Sequence, residues 1–424
     1  MNQENMYVCV MFPYPSGSGL HVGHFYNYAI MDSYCRYQRY IGNEVYQPFG
    51  YDAYGLPNEN YAKKVGRDPK EVTYENIEKF RSQMSKMQTE YQELIVTSDP
   101  SYQKWTQWLF LKLKEHGLAY KKDGEVNWCS SCETVLAREQ VKDGKCERCS
   151  TKIEMKTMNQ WYFKITDYKD RLIKNLDKID YPQSTINAQR MWLENLHDWC
   201  VSRQRKWGCP IPIEGESESL DTFVDSSFYF IRYCDPFNEN EMCSKDKYKQ
   251  VDLYVGGNEH ATGHLIFARF INMFLYDIGV VGCEEPFKKV IHNGMILNEG
   301  EKMSKSRGNT INPDAYDPDT LRFYLMFIGH YFDGGSWSDT HINGITRFIN
   351  RFKEWISREG EDEIDIEAFK KKIFDFTEAF KFNKVVSEFM TLVNRERLKN
   401  LKPEIKEELI SILEVYMPKI RTKL

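Results

Sequence analysis

The chain has few of the features that mark secreted or membrane proteins. Its 424 residues include 11 cysteines, but only four are paired in Cys-x2-Cys motifs and the others are dispersed, which is not a secreted disulfide framework. The amino terminus lacks the basic and then apolar pattern of a signal peptide. The longest apolar stretch, residues 265–281, is interrupted by Arg269, Asn272 and Asp277 and predicts a buried helix. We therefore expect a cytoplasmic protein with reduced thiols and no membrane association.

A strong charge of either sign is also lacking. The net charge is −5 and 41% of the residues are hydrophobic, as in ordinary globular proteins. Mild acidity argues against nucleic-acid binding over the whole surface, although it leaves room for a local basic face. The sequence has no internal repeat and no low-complexity tract. Its length predicts several domains, between two and four.

The order of apolar segments predicts an α/β fold. Residues 6–12 form a short apolar run with β-branched residues, which indicates a buried strand. A loop rich in Gly and Pro covers residues 13–19, and the pattern is helical over residues 21–41. Strand, glycine-containing loop and helix in succession are typical of the first unit of a parallel sheet. Residues 251–255 predict a further strand, which Gly256, Gly257 and a helical segment follow.

The carboxy-terminal part has a helical pattern from about Gly344 onward. Apolar residues at helical spacing define the first face: Ile345, Phe348, Ile349, Phe352, Trp355 and Ile356. Further amphipathic segments cover residues 366–380, 384–397 and 403–417. These segments predict a bundle of helices.

The first motif with chemical content covers residues 15–24 and contains Gly19, His21 and His24. Glycine allows the backbone to approach a phosphate closely, and a helix N-terminus favours negative charge. Two histidines at that helix end can donate hydrogen bonds to a phosphate that gains charge. The alternative interpretation is a glycine-rich turn before a helix with two incidental histidines.

The second motif covers residues 301–309 and contains Lys302 and Lys305. A loop of Lys, Ser and Gly is suited to a mobile clamp on a polyphosphate. Taken alone, such a string is usually a solvated run of charges. Its combination with the first motif favours the phosphate-binding interpretation.

Four cysteines have the spacing of a metal site. Cys129 and Cys132 form one Cys-x2-Cys pair, and Cys146 and Cys149 form another after 13 intervening residues. Two such pairs can bring four thiolates within tetrahedral reach of one Zn²⁺, and an all-cysteine set indicates a closed structural site. The alternative is four thiols without a metal.

The combination of an HxGH element near the amino terminus and a KMSKS element far downstream resembles class I aminoacyl-tRNA synthetases. The resemblance is closest to leucyl-tRNA synthetases, in four further blocks at residues 11–17, 50–57, 221–229 and 256–264. It extends from about Met6 to Asp339. It implies an α/β fold with a doubly wound parallel Rossmann-like sheet, a zinc-ribbon insertion and a C-terminal helical bundle. The implied division is residues 1–118, 119–190, 191–343 and 344–424.

The resemblance also implies roles for the phosphate-binding residues. His21 and His24 would act on the α-phosphate of ATP, and Lys302 and Lys305 would hold the leaving pyrophosphate. The remaining ATP-binding residues would be Gly19, Gly256, Gly257 and Glu259. Mg²⁺ would accompany ATP. The adenylate would form by in-line displacement at phosphorus, for which no protein nucleophile is required.

The amino-acid site follows from the same resemblance. Asp52 would pair with the substrate ammonium group, although it could instead be a helix cap. The pocket would be lined by Met11, Phe12, Tyr14, Phe223, Ser226, Tyr229, His260 and His264. Side chains such as Met11, Phe223 and Tyr229 are more often core than pocket, and the motif match alone favours the pocket.

The sequence departs from the leucyl family in its tRNA-handling parts. Most members carry a large editing domain before a block that resembles residues 198–205, whereas here residues 189–192 reach that block across residues 193–197. We also expect the appended C-terminal domain that grips the tRNA elbow in that family to be absent. We therefore expect a reduced binding surface for tRNA(Leu) and no editing.

Three functions are compatible with the sequence. The first is a leucyl-tRNA synthetase without editing, which uses leucine, ATP and tRNA(Leu). The second is a paralogue that passes an activated amino acid to a non-tRNA acceptor, such as a carrier protein or a small molecule. The third is a non-catalytic regulator that binds an amino acid or nucleotide, which the intact phosphate motifs disfavour.

Overall fold

The computed structural model describes residues 5–17, 19–303 and 308–424. Within these ranges, no helix is both long enough and apolar enough to cross a membrane.

The first part of the chain alternates strands and helices. Its elements are β1 (Asn5–Val10), α1 (Val22–Tyr40), β2 (Glu44–Tyr46), β3 (Pro48–Tyr51), α2 (Leu56–Val65), α3 (Pro69–Lys86), β4 (Gln92–Val96) and α4 (Pro100–Glu115). The predicted first helix is confirmed, with His21 as its N-cap and Ile41 as its C-cap. The first strand ends at Val10, so Met11 and Phe12 lie beyond it, at the sheet edge.

The second part is an antiparallel insertion. Its elements are β5 (Ala119–Cys129), β6 (Thr134–Leu136), β7 (Val141–Lys142), β8 (Lys145–Cys146), β9 (Glu154–Phe163), α5 (Lys169–Asn175) and α6 (Gln183–Glu194). Strands β5 and β9 pair along their length, from Ala119 opposite Phe163 to Trp128 opposite Glu154. This long hairpin carries the cysteine ribbon at its tip.

The third part returns to the parallel sheet. Its elements are β10 (Trp199–Cys200), β11 (Ser202–Arg203), β12 (Ser219–Leu220), α7 (Thr222–Ser226), α8 (Tyr229–Cys234), β13 (Val251–Gly256), α9 (His264–Asp277), β14 (Phe287–His292), β15 (Met295–Asn298), β16 (Glu301–Lys302), α10 (Pro318–Phe327) and β17 (Gly334–Ser336). The predicted strand over 251–255 is confirmed and is one residue longer. The longest apolar stretch, for which the sequence predicts a buried helix, lies for the most part in α9, and this helix is buried.

The central sheet is parallel, with the order β14–β13–β1–β2. Strand β3 follows β2 after Gln47 and pairs in parallel with β4. Strand β1 therefore has a neighbour from the first part of the chain on one side and β13 on the other. The direction of winding reverses between β1 and β13, which is where open α/β sheets bind ligands. The predicted α/β class is confirmed.

The last part is helical, with α11 (Asp339–Ile356), α12 (Ile366–Glu378), α13 (Phe382–Glu396) and α14 (Pro403–Glu414). Helix α11 begins before the predicted Gly344, because Ser338 caps it through its hydroxyl, which accepts from the amide of His341 at 3.3 Å. The predicted apolar face of α11 is buried.

A buried arginine on α10 links α1 to the chain that follows α14. The guanidinium of Arg322 on α10 donates to Asp32 of α1 at 2.8 Å, and both side chains are fully buried. Arg322 also donates to the carbonyls of Met87 and Tyr416. One side chain thus connects three separate parts of the chain.

Candidate active site

The predicted site residues converge on the carboxyl ends of the parallel strands. Met11 follows β1, Asp52 follows β3, Gly257 follows β13 and His292 ends β14. The start of α1 lies at the same edge, because α1 follows β1 directly. This is the edge of an open α/β sheet at which ligands bind.

The helix end that carries the two histidines is tightly organised. Gly19 has a φ of +118°, a conformation that favours glycine, and an added Cβ would lie 2.9 Å from Gln83 Oε1. Gln83 Oε1 also accepts from the amide of Leu20 at 2.7 Å. The imidazole rings of His21 and His24 lie 3.9 Å apart, centroid to centroid. The structure therefore brings these three predicted residues together at the N-terminus of α1.

The second phosphate motif is described in part. Lys302 Nζ lies 3.3 Å from Glu259 Oε1, so that two predicted ATP-binding residues are paired. Burial raises the pKa of Glu259, but the charges of His260 and Lys302 outweigh it and the pKa is lowered. A Cβ on Gly257 would lie 2.0 Å from the Glu259 carboxylate. Lys305 lies outside the described residues.

Gly256 allows close packing at the switch point. A Cβ at this position would lie 2.1 Å from Met11 Sδ. The amide of Met11 donates to the carbonyl of Val255 at 2.8 Å, so β1 and β13 remain paired up to their ends. His292 Nδ1 lies 2.9 Å from the carbonyl oxygen of Gly256, and its Nε2 lies 2.7 Å from Thr185 Oγ1.

Asp52 is a buried carboxyl group. Its amide donates to the carbonyl of Pro13 at 3.0 Å, and its Oδ1 accepts from Thr222 Oγ1 at 2.9 Å. Burial raises the pKa of Asp52 to about 8. The alternative that Asp52 is a helix cap is wrong, because α2 begins at Leu56 with Gly55 as its N-cap. A buried carboxyl that is costly to ionise is suited to bind a cation.

Aromatic groups form one side of the predicted amino-acid pocket. Phe12 and Tyr229 are stacked, with their centroids 3.9 Å apart. The hydroxyl of Tyr229 lies 2.6 Å from that of Tyr254, which lies 2.7 Å from His264 Nε2. Burial lowers the pKa of His264 to about 3, so its ring is neutral. Tyr229 is fully buried and serves the core as well as this wall.

The remaining predicted pocket residues surround this wall. Phe223 is nearly buried, with its centroid 5.8 Å from that of Phe267 in the core. Ser226, on the same short helix α7, donates to the carbonyl of Phe223 at 3.4 Å. The ring of His260 lies edge-on to that of His264, with the two centroids 6.2 Å apart. Burial lowers the pKa of His260, which also favours a neutral ring.

The four cysteines of the ribbon form one cluster. The sulfur atoms of Cys129, Cys132, Cys146 and Cys149 all lie within 4.8 Å of one another. Four sulfurs around a zinc ion with bonds of about 2.3 Å are separated by about 3.8 Å. Burial raises the pKa of Cys149, but hydrogen bonds led by that from Thr151 outweigh it and lower this pKa to about 6. The donor set and its spacing fit a closed zinc site.

Comparison with known proteins identifies the family. The model of "tRNA synthetases class I (I, L, M and V)" matches residues 1–218, and that of "tRNA synthetases class I (M)" matches residues 129–358. The leucine–tRNA ligase of Caldanaerobacter subterraneus subsp. tengcongensis is 30% identical, over 98% of this chain and 85% of the relative. The chain belongs to the leucine–tRNA ligase family of class I aminoacyl-tRNA synthetases. It is an enzyme of this class.

Other members of the class agree with the assignment. The leucine–tRNA ligase of Clostridium botulinum (strain Hall) is 31% identical, over 88% of this chain and 76% of the relative. The LeuRS of the LeuRS–tRNA–LeuAMS complex from Agrobacterium radiobacter K84 superposes with a TM-score of 0.91 at 24% identity, covering 100% of this chain and 85% of that one. Mycobacterium tuberculosis methionyl-tRNA synthetase bound by methionyl-adenylate superposes with a TM-score of 0.78 at 18% identity, covering 98% of this chain and 92% of that one. These structures share the synthetase fold.

Sequence reasoning missed two residues that contact the predicted site residues. Thr222 holds the Asp52 carboxyl, and Tyr254 bridges Tyr229 and His264. The signal for Thr222 was its position directly after Asp221 in a block that resembles the family. Tyr254 lies two residues before Gly256 in β13, so its position near the end of a central strand was the available signal.

Proposed function

We propose that this synthetase activates leucine with ATP to leucyl-adenylate and transfers the leucyl group to tRNA(Leu) without editing. The observation that carries this proposal is the position of the Asp52 carboxyl and the Phe12–Tyr229 wall at the same sheet edge as the histidine-bearing start of α1. A buried anion beside an apolar wall is suited to an apolar α-amino acid. The named relatives, leucine–tRNA ligases, support leucine as this amino acid.

The proposed chemistry is an in-line displacement. A carboxylate oxygen of leucine forms a bond to the α-phosphorus of ATP, and the bond from that phosphorus to pyrophosphate breaks. Asp52 holds the ammonium group, His21 and His24 donate to the α-phosphate, and Lys302 and Lys305 hold the pyrophosphate. Gly256 and Gly257 hold the nucleoside region of ATP, and their lack of a Cβ lets Met11 and Glu259 pack closely there. Mg²⁺ enters with ATP and neutralises part of its charge.

We also propose that the ribbon cysteines hold a structural Zn²⁺. In the proposed division, residues 1–118 and 191–343 form the catalytic domain, 119–190 the insertion and 344–424 an anticodon-binding-type helical bundle. The ribbon is too small for a core of its own, so a metal would supply its stability.

The absence of editing is supported by the junction between α6 and β10. Only residues 195–198 separate these elements. Asp198 accepts hydrogen bonds from Tyr120 at 2.5 Å and from the hydroxyl of Thr166 at 2.6 Å, which closes the junction against the insertion. The alignment with the Caldanaerobacter relative extends over 699 positions, so long segments of that relative lie opposite gaps in this chain.

The test is ATP–pyrophosphate exchange with each of the twenty amino acids, followed by charging of total tRNA. Exchange that depends on leucine, together with charging of tRNA(Leu), supports the proposal. Exchange without charging would indicate a non-tRNA acceptor. No exchange with any amino acid would indicate a non-catalytic binding protein and contradict the proposal.

A further inference from the structure

Arg148 lies in the cysteine ribbon, between Cys146 and Cys149. It lies directly before Cys149, and its backbone amide hydrogen-bonds to the thiol of Cys146, as does that of Cys149. The position of the Arg148 backbone is therefore fixed by the cysteine cluster. No sequence motif of the catalytic domain includes this residue.

The Arg148 side chain reaches the amino-acid site. Its guanidinium carbon lies 5.7 Å from the ring centroid of Tyr14, a predicted pocket residue. Its charge lowers the pKa of Asp52 against the larger effect of burial, and it adds to the burial that lowers the pKa of His260. The ribbon thus places a cation over Tyr14, next in the chain to Pro13, whose carbonyl accepts a hydrogen bond from the amide of Asp52 at 3.0 Å.

The guanidinium is available to a ligand. Its Nε lies 3.3 Å from Glu147 Oε1. In the described part of the chain, no acceptor takes a hydrogen bond from its two terminal nitrogens. The side chain is 34% exposed, so it faces an open space and is not held in the core.

Asp52 accounts for the ammonium group of a bound amino acid but not for its carboxylate. Asp221 is paired with Arg203 at 2.5 Å, and both side chains are buried. Burial lowers the pKa of His264 to about 3 and also lowers that of His260. An amino acid binds as a zwitterion, so a cation that pairs with its carboxylate offsets the cost of removing that group from water.

We propose that Arg148 binds the carboxylate of the amino acid before it attacks ATP. This inference rests on the proposed function, since it assumes an α-amino acid beside Asp52. The guanidinium fork matches the two carboxylate oxygens. When one of these oxygens bonds to phosphorus and pyrophosphate leaves, the carboxylate charge is lost and Arg148 loses its partner. Arg148 therefore acts mainly on binding of the free amino acid.

The test compares leucine with leucinol, which keeps the ammonium group and side chain but lacks the carboxylate. In Arg148→Gln, the KM for leucine in pyrophosphate exchange should rise about tenfold or more, as for loss of a charged hydrogen bond, and kcat should change less. The inhibition constant of leucinol should change less than twofold. The matched control is Lys145→Gln, an exposed cation on the same ribbon, which should change neither constant.

Two further measurements make the result decisive. Zinc content and melting temperature of Arg148→Gln should equal those of the unaltered protein, and Arg148→Lys should recover part of the leucine affinity. Equal losses of affinity for leucine and leucinol would overturn the inference. A change only in the KM for tRNA would also overturn it, because the guanidinium would then hold nucleic acid. Failure of the unaltered protein to catalyse exchange would instead overturn the proposed function.

Discussion

The Nδ1 atom of His24 accepts a hydrogen bond from the backbone amide of His21, at 3.1 Å. His21 Nδ1 in turn accepts from the amide of Gly23, at 3.1 Å. An imidazole nitrogen that accepts cannot carry a proton, so each neutral ring carries its proton on Nε2. The cap of α1 therefore fixes both histidines as Nε2 donors, which is the form that a charged phosphate requires.

This arrangement separates the capping role of His21 from its proposed role toward ATP. In His21→Asn, the shorter side chain keeps an acceptor for the helix cap but loses the distant donor. We expect a melting temperature close to that of the unaltered protein and a loss of about 10²–10³-fold in pyrophosphate exchange. His21→Gln, whose amide reaches toward the Nε2 position, should lose less. An unchanged exchange rate in His21→Asn would exclude this role for Nε2.

The raised pKa of Asp52 predicts that substrate binding depends on pH. Because burial raises its pKa to about 8, the carboxyl is largely protonated at pH 6 and ionised above pH 8. The KM for leucine should fall as the pH rises through this range, by at most about tenfold per unit. Asp52→Asn should have a high KM that lacks this dependence. A KM profile that is flat in the unaltered protein would contradict the assignment.

The raised pKa of Asp52 also makes stability depend on pH, but stability falls as the pH rises whereas leucine binding improves. The folded pKa of Asp52 exceeds the unfolded value, so the folded state binds the extra proton and stability from this group falls between about pH 4 and pH 8. Asp52→Asn removes the cost of ionisation and can still accept from Thr222. Its melting temperature at pH 8 should therefore exceed that of the unaltered protein, with little difference at pH 4. Thermal denaturation at the two pH values measures this.

The ribbon should bind one Zn²⁺ per chain. Cys146→Ser should lower both the zinc content and the melting temperature, because a ribbon of this size depends on its metal. Cys200→Ser removes a thiol outside the cluster and serves as the control. Metal analysis and thermal denaturation measure both effects, and a metal-free protein of unchanged stability would contradict the zinc assignment.

Arg322 should contribute strongly to the packing of α10 on α1 and on the chain after α14. Burial raises the pKa of Asp32, but Arg322 and Arg36 outweigh it and hold the pKa below its usual value. Arg322→Met leaves Asp32 with one of its two cations and should cost about 3–5 kcal/mol in free energy of unfolding. The double variant with Asp32→Asn should recover part of this loss. Urea denaturation of Arg322→Met, Asp32→Asn and the double variant measures the coupling, and additive losses would argue against it.

Fidelity should depend on the synthetic pocket alone. One methylene in an apolar pocket changes selectivity by about 10–200-fold. Valine should therefore be activated at a low but measurable rate, as should isoleucine and methionine. Preformed isoleucyl-tRNA(Leu) should persist when mixed with the enzyme, as in a blank without enzyme. Deacylation well above the blank would show an editing site elsewhere in the chain.

The sequence was most informative where function depends on residues close together in the chain. The spacing of the two Cys-x2-Cys pairs predicted a metal site, and the cysteine cluster agrees with it. The glycine-containing loop before His21 predicted a helix start, which the structure has at Val22. Such patterns are readable because helix caps, strand ends and metal knuckles are made by neighbours in sequence.

The tertiary structure decided the contacts between distant segments. Thr222 meets Asp52 across 170 residues, and Arg148 of the ribbon lies over Tyr14 of the first loop. These contacts depend on the order of strands in the sheet and on where the β5–β9 hairpin ends. The sequence by itself determined the local elements and their chemistry, whereas long-range packing alone determined which side chains share the buried, low-dielectric space around Asp52 and so raise its pKa.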